Sequence, residues 1–221
     1  MMKQNYFITG TDTNVGKTWA TLALMTYFKQ QNLSVVGMKP VASGCENING
    51  KWRNSDALAI QKMGSQFVEY SLLNPYAYEL PISPHLAGKD NPANLETIFT
   101  HFQTLQKLAD VLIIEGAGGW YAPLNESKTI ADLAKKLNVP IILVISIKLG
   151  CINHSLLTVE AIKNAGLNCI GWIGVCNHTE FNCVDLTFES LIDLLPIPML
   201  AKFPFLENAD FDYLAHQIKF L

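Results

Sequence analysis

The 221-residue sequence predicts an α/β fold, a single domain over residues 1–221 on a doubly wound, mainly parallel sheet. Three observations predict it. Short β-rich runs alternate with longer helical patterns along the whole chain. The runs before Glu115 and after Pro140 are apolar at every position, as in strands covered by helices on both faces. The first strand runs into a glycine-bearing turn that opens a helix, the junction of a strand–helix–strand unit.

Taken in order, Tyr6–Thr9 is the first strand, and a helix runs from Trp19 to about Gln31. Val35–Met38 is the second strand. Ser71–Pro92 carries four prolines and little periodicity, which predicts a long functional loop or lid. Leu95, Ile98, Phe99, Phe102 and Leu105 share one face of a helix that Asn94 caps. Val111–Ile114 is a buried strand. Thr129 and Asp132 form a capping box for a helix ending at Asn138, two residues before Pro140. The remaining strands are Ile141–Ile147, Ile170–Val175 and Met199–Phe203, with a helix over Asn153–Ala165 closed by Gly166. The spacing of Phe211, Leu214, Ile218 and Leu221 suits a final helix docked on its own domain.

Composition excludes several classes. Hydrophobic residues make up 49% and charged residues 16%, the reverse of a disordered chain. A net charge of −3 argues against a nucleic-acid partner, whose binding domains are usually basic. The longest nearly pure apolar run, Val139–Ile147, is far below the ~20 residues of a membrane helix. Five cysteines without CxxC or zinc spacing read as reduced thiols, and with no signal-peptide pattern a cytoplasmic location is expected.

Gly10-Thr11-Asp12-Thr13-Asn14-Val15-Gly16-Lys17-Thr18 sits between strand and helix, where backbone N–H groups and the helix dipole bind phosphate. Lys17 would reach the β- and γ-phosphates and the Thr18 hydroxyl would ligate Mg²⁺. Five residues separate the two glycines instead of the usual four, so an ordinary tight turn stays an alternative. Glu115 ends a buried strand and opens Glu115-Gly116-Ala117-Gly118-Gly119 in the ligand crevice. Asp56 reads either as a helix cap or, with Asp12 and Glu115, as a carboxylate beside a hard cation. Lys39, in Lys39-Pro40-Val41-Ala42-Ser43-Gly44, falls at the same sheet edge as Lys17.

Together these segments resemble the dethiobiotin synthetase family. The resemblance extends through Arg53-Asn54-Ser55-Asp56-Ala57, Pro84-His85, Glu115-Gly116-Ala117-Gly118-Gly119-Trp120 and Lys148-Leu149-Gly150-Cys151-Ile152-Asn153-His154, and spans most of the chain. It implies a phosphate-loop NTPase fold and an ATP- and Mg²⁺-dependent ring closure in biotin biosynthesis. Carbon dioxide would add to 7,8-diaminononanoate, and a carbamoyl phosphate intermediate would close to dethiobiotin, releasing ADP and phosphate. By that likeness Lys17 and Lys39 are catalytic, and Thr18, Asp56 and Glu115 hold Mg²⁺. Thr13, Asn14, Val15, Gly16, Lys17, Thr18, Trp19, Asp56, Glu115, Gly116, Ala117 and Gly118 would surround the phosphates. Asn177, with Pro204, Phe205 and Leu206, would bind the nucleotide. Phe205 stands where the family commonly has Trp, and Val175-Cys176 where it has an Asn-containing pair.

The likeness also places Thr11, Ser43 and Gly118 beside the diamine and carbamate. It assigns Lys148, Leu149, Gly150, Cys151, Ile152 and Asn153 to the substrate carboxylate across a homodimer with a shared active site. Cys151 is expected to contribute its backbone N–H there. The rival is a partitioning-type switch ATPase with a deviant phosphate loop. Such proteins usually carry an early second lysine that Thr11-Asp12-Thr13-Asn14 lacks.

Overall fold

In the computed structural model, which describes residues 3–177 and 179–220, six strands form one parallel sheet. In chain order the elements are β1 (Gln4–Gly10), α1 (Lys17–Gln30), β2 (Val35–Met38), β3 (Val41–Ala42), β4 (Glu46–Ile48), β5 (Lys51–Arg53), α2 (Ser55–Met63), α3 (Tyr70–Leu73), β6 (Tyr76–Ala77), α4 (Pro84–Ala87), α5 (Leu95–Leu105), β7 (Val111–Glu115), α6 (Ile130–Leu137), β8 (Ile141–Ser146), α7 (Cys151–Asn164), β9 (Cys169–Val175), α8 (Val184–Leu194), β10 (Met199–Phe203) and α9 (Phe211–His216).

The sheet order is β10-β9-β8-β1-β7-β2. The chain builds one wing with β2 and β7, then crosses β1 and builds the other with β8, β9 and β10. This doubly wound arrangement places a ligand crevice at the carboxyl ends of the strands. β7 and β8 are buried at every position, as an all-apolar central strand requires. The helices follow their punctuation. Asn94 Oδ1 accepts from the N–H groups of Glu96 and Thr97, and Thr129 and Asp132 form the full capping box.

Two expectations need correction, and one element was not foreseen. Ser71–Pro92 is not a featureless loop: it lies over α3, β6 and α4, and β6 pairs with β3 beside the sheet. Buried Leu73, Tyr76 and Tyr78 tie it to the core, so local irregularity is overridden by packing. The β4–β5 hairpin, turning at Asn49-Gly50, is an element that periodicity over three-residue strands cannot reveal. Helix α7 begins at Cys151, two residues early, because Gly150 serves as its N-cap. The final helix α9 packs on α1, with Phe211 edge-on to Trp19 and Leu214 and Ile218 buried. Leu221 lies outside the described residues.

Candidate active site

The loops leaving the carboxyl ends of β1, β2, β7, β9 and β10 converge on one cavity of about 1240 Å³. From β1 comes the phosphate loop. Gly16 takes φ +93°, and a Cβ there would lie 2.9 Å from Val175 Cγ1, so a side chain meets both strain and a clash. The first bond of α1 is Ala20 N–H to Gly16 O at 3.0 Å, which leaves the Lys17, Thr18 and Trp19 N–H groups at the mouth. No acidic residue occupies this first turn, so its positive end faces the cavity.

Lys17 is buried, and its Nζ donates to the loop's own Asp12 carbonyl at 2.7 Å. Burial pushes its pKa down to about 8, against a partial upward pull from Glu115. Lys39 is equally buried, yet its pKa is raised. Burial alone would lower it, but Glu115 Oε1 at 2.5 Å and Asp56 Oδ2 at 3.3 Å outweigh that cost. The two lysines differ because one has ion-pair partners and the other only a carbonyl.

Glu115 is 1% exposed. Its Oε1 accepts from Lys39 and from Thr18 Oγ1 (2.9 Å), while Oε2 is buried without a partner. An unpartnered buried carboxylate oxygen costs free energy that a cation would offset. Thr18, Asp56 and Glu115 offer the oxygen ligands that Mg²⁺ selects. Added phosphates would leave the site's two lysines outnumbered, so the residues present fit a divalent cation. Asp56 does not cap its helix, since Asn54 Oδ1 accepts from Ala57 N–H and leaves Asp56 free for Lys39. Asp12 also lines the cavity, and its Oδ1 accepts from Thr13 N–H at 2.7 Å.

Thr11, Thr13, Asn14, Gly16, Trp19, Ser43, Gly116, Ala117, Gly118, Asn177, Pro204, Phe205 and Leu206 also line the cavity. Ser43 Oγ and Trp120 Nε1 are further buried polar atoms without partners on its wall. Val15 is the exception in the loop: it is 1% exposed in the hydrophobic core and is no lining residue. The Asn177 amide is committed at both ends, accepting from Ser146 Oγ and donating to Asn14 O at 2.8 Å. It thereby ties the phosphate loop to β8.

Lys148–Asn153 does not reach the cavity of its own chain. Leu149 is 89% exposed, and the Cys151 N–H is consumed by Lys148 O at 3.1 Å, so Cys151 offers no free N–H. The Ile152 and Asn153 N–H groups have no backbone acceptor among the described residues. Sequence reasoning missed Pro81, Ile82 and Ser83, and Leu157, Thr158 and Ala161 of α7. The prolines of the first group were a signal, whereas the second is an ordinary helix face.

A family model described as an AAA domain matches residues 4–211. The ATP-dependent dethiobiotin synthetase of Cellvibrio japonicus is 41% identical over 214 residues, covering 96% of this chain and 94% of the relative. The chain belongs to the dethiobiotin synthetase family. Its members are ATP-dependent cyclo-ligases of biotin biosynthesis. The dethiobiotin synthetase of Xanthomonas euvesicatoria pv. vesicatoria is 40% identical and covers 99% of both chains. Among solved structures, the MinC:MinD complex of Aquifex aeolicus matches with a TM-score of 0.59 at 14% identity, over 98% of this chain and 86% of that one. FtsY of Thermotoga maritima gives a TM-score of 0.51 at 15% identity, over 95% of this chain and 63% of that one. These two likenesses show the phosphate-loop NTPase fold alone. The family is set by the curated relatives at about 40% identity.

Proposed function

We propose that the chain is an ATP- and Mg²⁺-dependent dethiobiotin synthetase acting on 7,8-diaminononanoate and carbon dioxide. The observation that carries this reading is the pair of buried lysines flanking Glu115, Asp56 and Thr18 at the start of α1. Phosphoryl transfer asks for positioned cations around spreading charge and needs no covalent protein nucleophile.

In this reading an amine of the diamine adds to carbon dioxide and loses a proton, giving a carbamate. The carbamate oxygen attacks the γ-phosphorus of ATP, and ADP leaves. The neighbouring amine then attacks the carbonyl carbon and gives up a proton, the C–O bond to phosphate breaks, and the ureido ring closes. Lys39, held charged by Glu115 and Asp56, lies where it can stabilise the transferring phosphoryl oxygens. Lys17 exchanges the Asp12 carbonyl for phosphate. Mg²⁺ would supply charge neutralisation across the phosphates, held by Thr18, Asp56 and Glu115. Ser43, Thr11 and Gly118 face the diamine, and Pro204–Leu206 the base. Asn177 serves the nucleotide through the loop it holds.

The chain is read as one cytoplasmic domain acting as a homodimer. The free Ile152 and Asn153 N–H groups, remote from their own cavity, suit the substrate carboxylate of a two-fold partner. Exposed Leu149 suits burial in that contact. Among the described residues no helix is long and apolar enough to cross a membrane. ADP release measured with and without diamine and bicarbonate tests the reading. Turnover should require both, and equal turnover with ATP alone overturns it.

A further inference from the structure

Lys39 sits where β2 ends, on the outer edge of the sheet. Among the described residues β2 is the edge strand of this sheet, so the Lys39 peptide groups need other partners. The segment ending α3 supplies them. Lys39 N–H donates to Leu73 O at 3.1 Å, and Asn74 Nδ2 donates to Lys39 O at 2.6 Å. Asn74 Oδ1 in turn accepts from Tyr70 Oη at 2.9 Å, and Tyr70 Oη accepts from Asn54 N–H at 2.8 Å. Asn54 is the N-cap of α2, the helix whose first turn carries Asp56. One buried chain of hydrogen bonds therefore runs from the backbone that bears Asp56 to the backbone that bears Lys39. Tyr70, Asn74 and Asn54 are 5%, 3% and 6% exposed, so water does not substitute for its links. The Arg53 guanidinium lies 4.0 Å over the Tyr70 ring and covers it from outside.

We propose that Tyr70 and Asn74 are positioning residues that set the Lys39–Asp56 geometry and, through it, the binding of the metal–nucleotide complex. The inference rests on the phosphoryl-transfer reading of the site. Neither side chain lines the cavity, so an effect on nucleotide passes through the groups they bond, Lys39 at one end and Asn54, the cap of the helix that bears Asp56, at the other. Both ends of the chain are main-chain groups at hinges between elements, after β2 and before α2. A lost link there frees the backbone that carries Lys39 at one end and the cap of the helix turn that carries Asp56 at the other.

The test uses the full chain with Tyr70→Phe, which keeps the ring and removes only the hydroxyl, and Asn74→Ala. Tyr78→Phe is the control, because that buried hydroxyl bonds Asn91 O and touches neither Lys39 nor Asp56. The direct readout is calorimetric ADP affinity with and without Mg²⁺, independent of turnover. Tyr70→Phe and Asn74→Ala should each weaken the Mg²⁺-dependent gain in affinity by about tenfold, the usual scale for a residue that orients a metal ligand. Metal-free ADP binding should be unchanged, and kcat should fall while KM for the diamine holds. The double variant should be no worse than either single, since both cut one chain. Tyr78→Phe should lower thermal stability and leave the Mg²⁺ gain intact. If Tyr70→Phe is not recovered folded, Asn74→Ala carries the same test. A wild-type Mg²⁺ gain and kcat in a folded variant overturns the proposal, as does an equal loss in Tyr78→Phe. Failure of wild-type enzyme to release ADP with diamine and bicarbonate would instead sink the functional reading, and the binding measurement would still judge the positioning.

Discussion

Lys17 and Lys39 share a cavity and a degree of burial, and their perturbations are opposite because their partners differ. For Lys17 the folded pKa of about 8 lies below the ordinary 10.5. Between those values the unfolded chain binds more protons, so stability rises with pH across that window, and the cost of the buried charge is fully present below it. Phosphate would restore the charge. Nucleotide binding at pH 9 should therefore take up a proton, and affinity should fall by about tenfold per pH unit above the Lys17 value. Calorimetry in two buffers of different ionisation enthalpy reads the uptake, and zero uptake would separate Lys17 from the phosphates. Lys17→Ala and Lys39→Ala should each lower turnover by about 10²-fold or more, the scale of one lost preorganised donor. Near-wild-type rates would remove that lysine from the site. In Glu115→Gln a neutral amide replaces the carboxylate, so the Mg²⁺ concentration giving half-maximal rate should rise. An unchanged midpoint would take Glu115 out of the metal set.

At the scale of elements, the starts of α5 and α6 were legible because capping is local. Asn94, Thr129 and Asp132 act within three residues of their partners. Asn94→Ala should cost about 1 kcal/mol of stability, read by denaturant melts. Because α5 lies away from the cavity, ADP release below the melt should stay at wild-type rate. A large loss of activity would show that α5 supports the site. The β4–β5 hairpin had a readable signal in Asn49-Gly50, both residues taking positive φ as a two-residue hairpin turn demands. Its strands are too short for periodicity to register. Ser71–Pro92 hid its structure differently. Its prolines report turns, whereas α3 and β6 exist through contacts with β2 and β3 far off in sequence.

For the whole molecule, a site completed by a partner predicts complementation. Lys17→Ala disables the phosphate end, and Asn153→Glu places a repelling charge at the start of α7. In a mixed dimer one site carries both defects and the other neither, so random exchange of the two inactive variants should restore about a quarter of wild-type activity across an isologous interface. Background activity in verified mixed dimers would assign Lys148–Asn153 to its own subunit's fold.

The sequence by itself determined the doubly wound sheet, the phosphate loop and the arrival of Lys17, Lys39 and Glu115 at the strand ends. All of these are written in short-range pattern, an apolar run, a glycine spacing or a cap, and the parallel topology then carries each strand's carboxyl end to one crevice. Only the tertiary structure decided how the carboxylates divide. Asp12 Oδ1 accepts from Thr13 N–H, Asn54 takes the capping role open to Asp56, and Asp56 is released to Lys39. It likewise decided that Val15 goes to the core and that Asn177 holds Asn14. The Tyr70–Asn74 link to Lys39 spans 35 residues between Lys39 and Asn74. A hydrogen bond of that reach leaves no trace in local spacing, because its partners meet only after the sheet edge and the helices around it have packed.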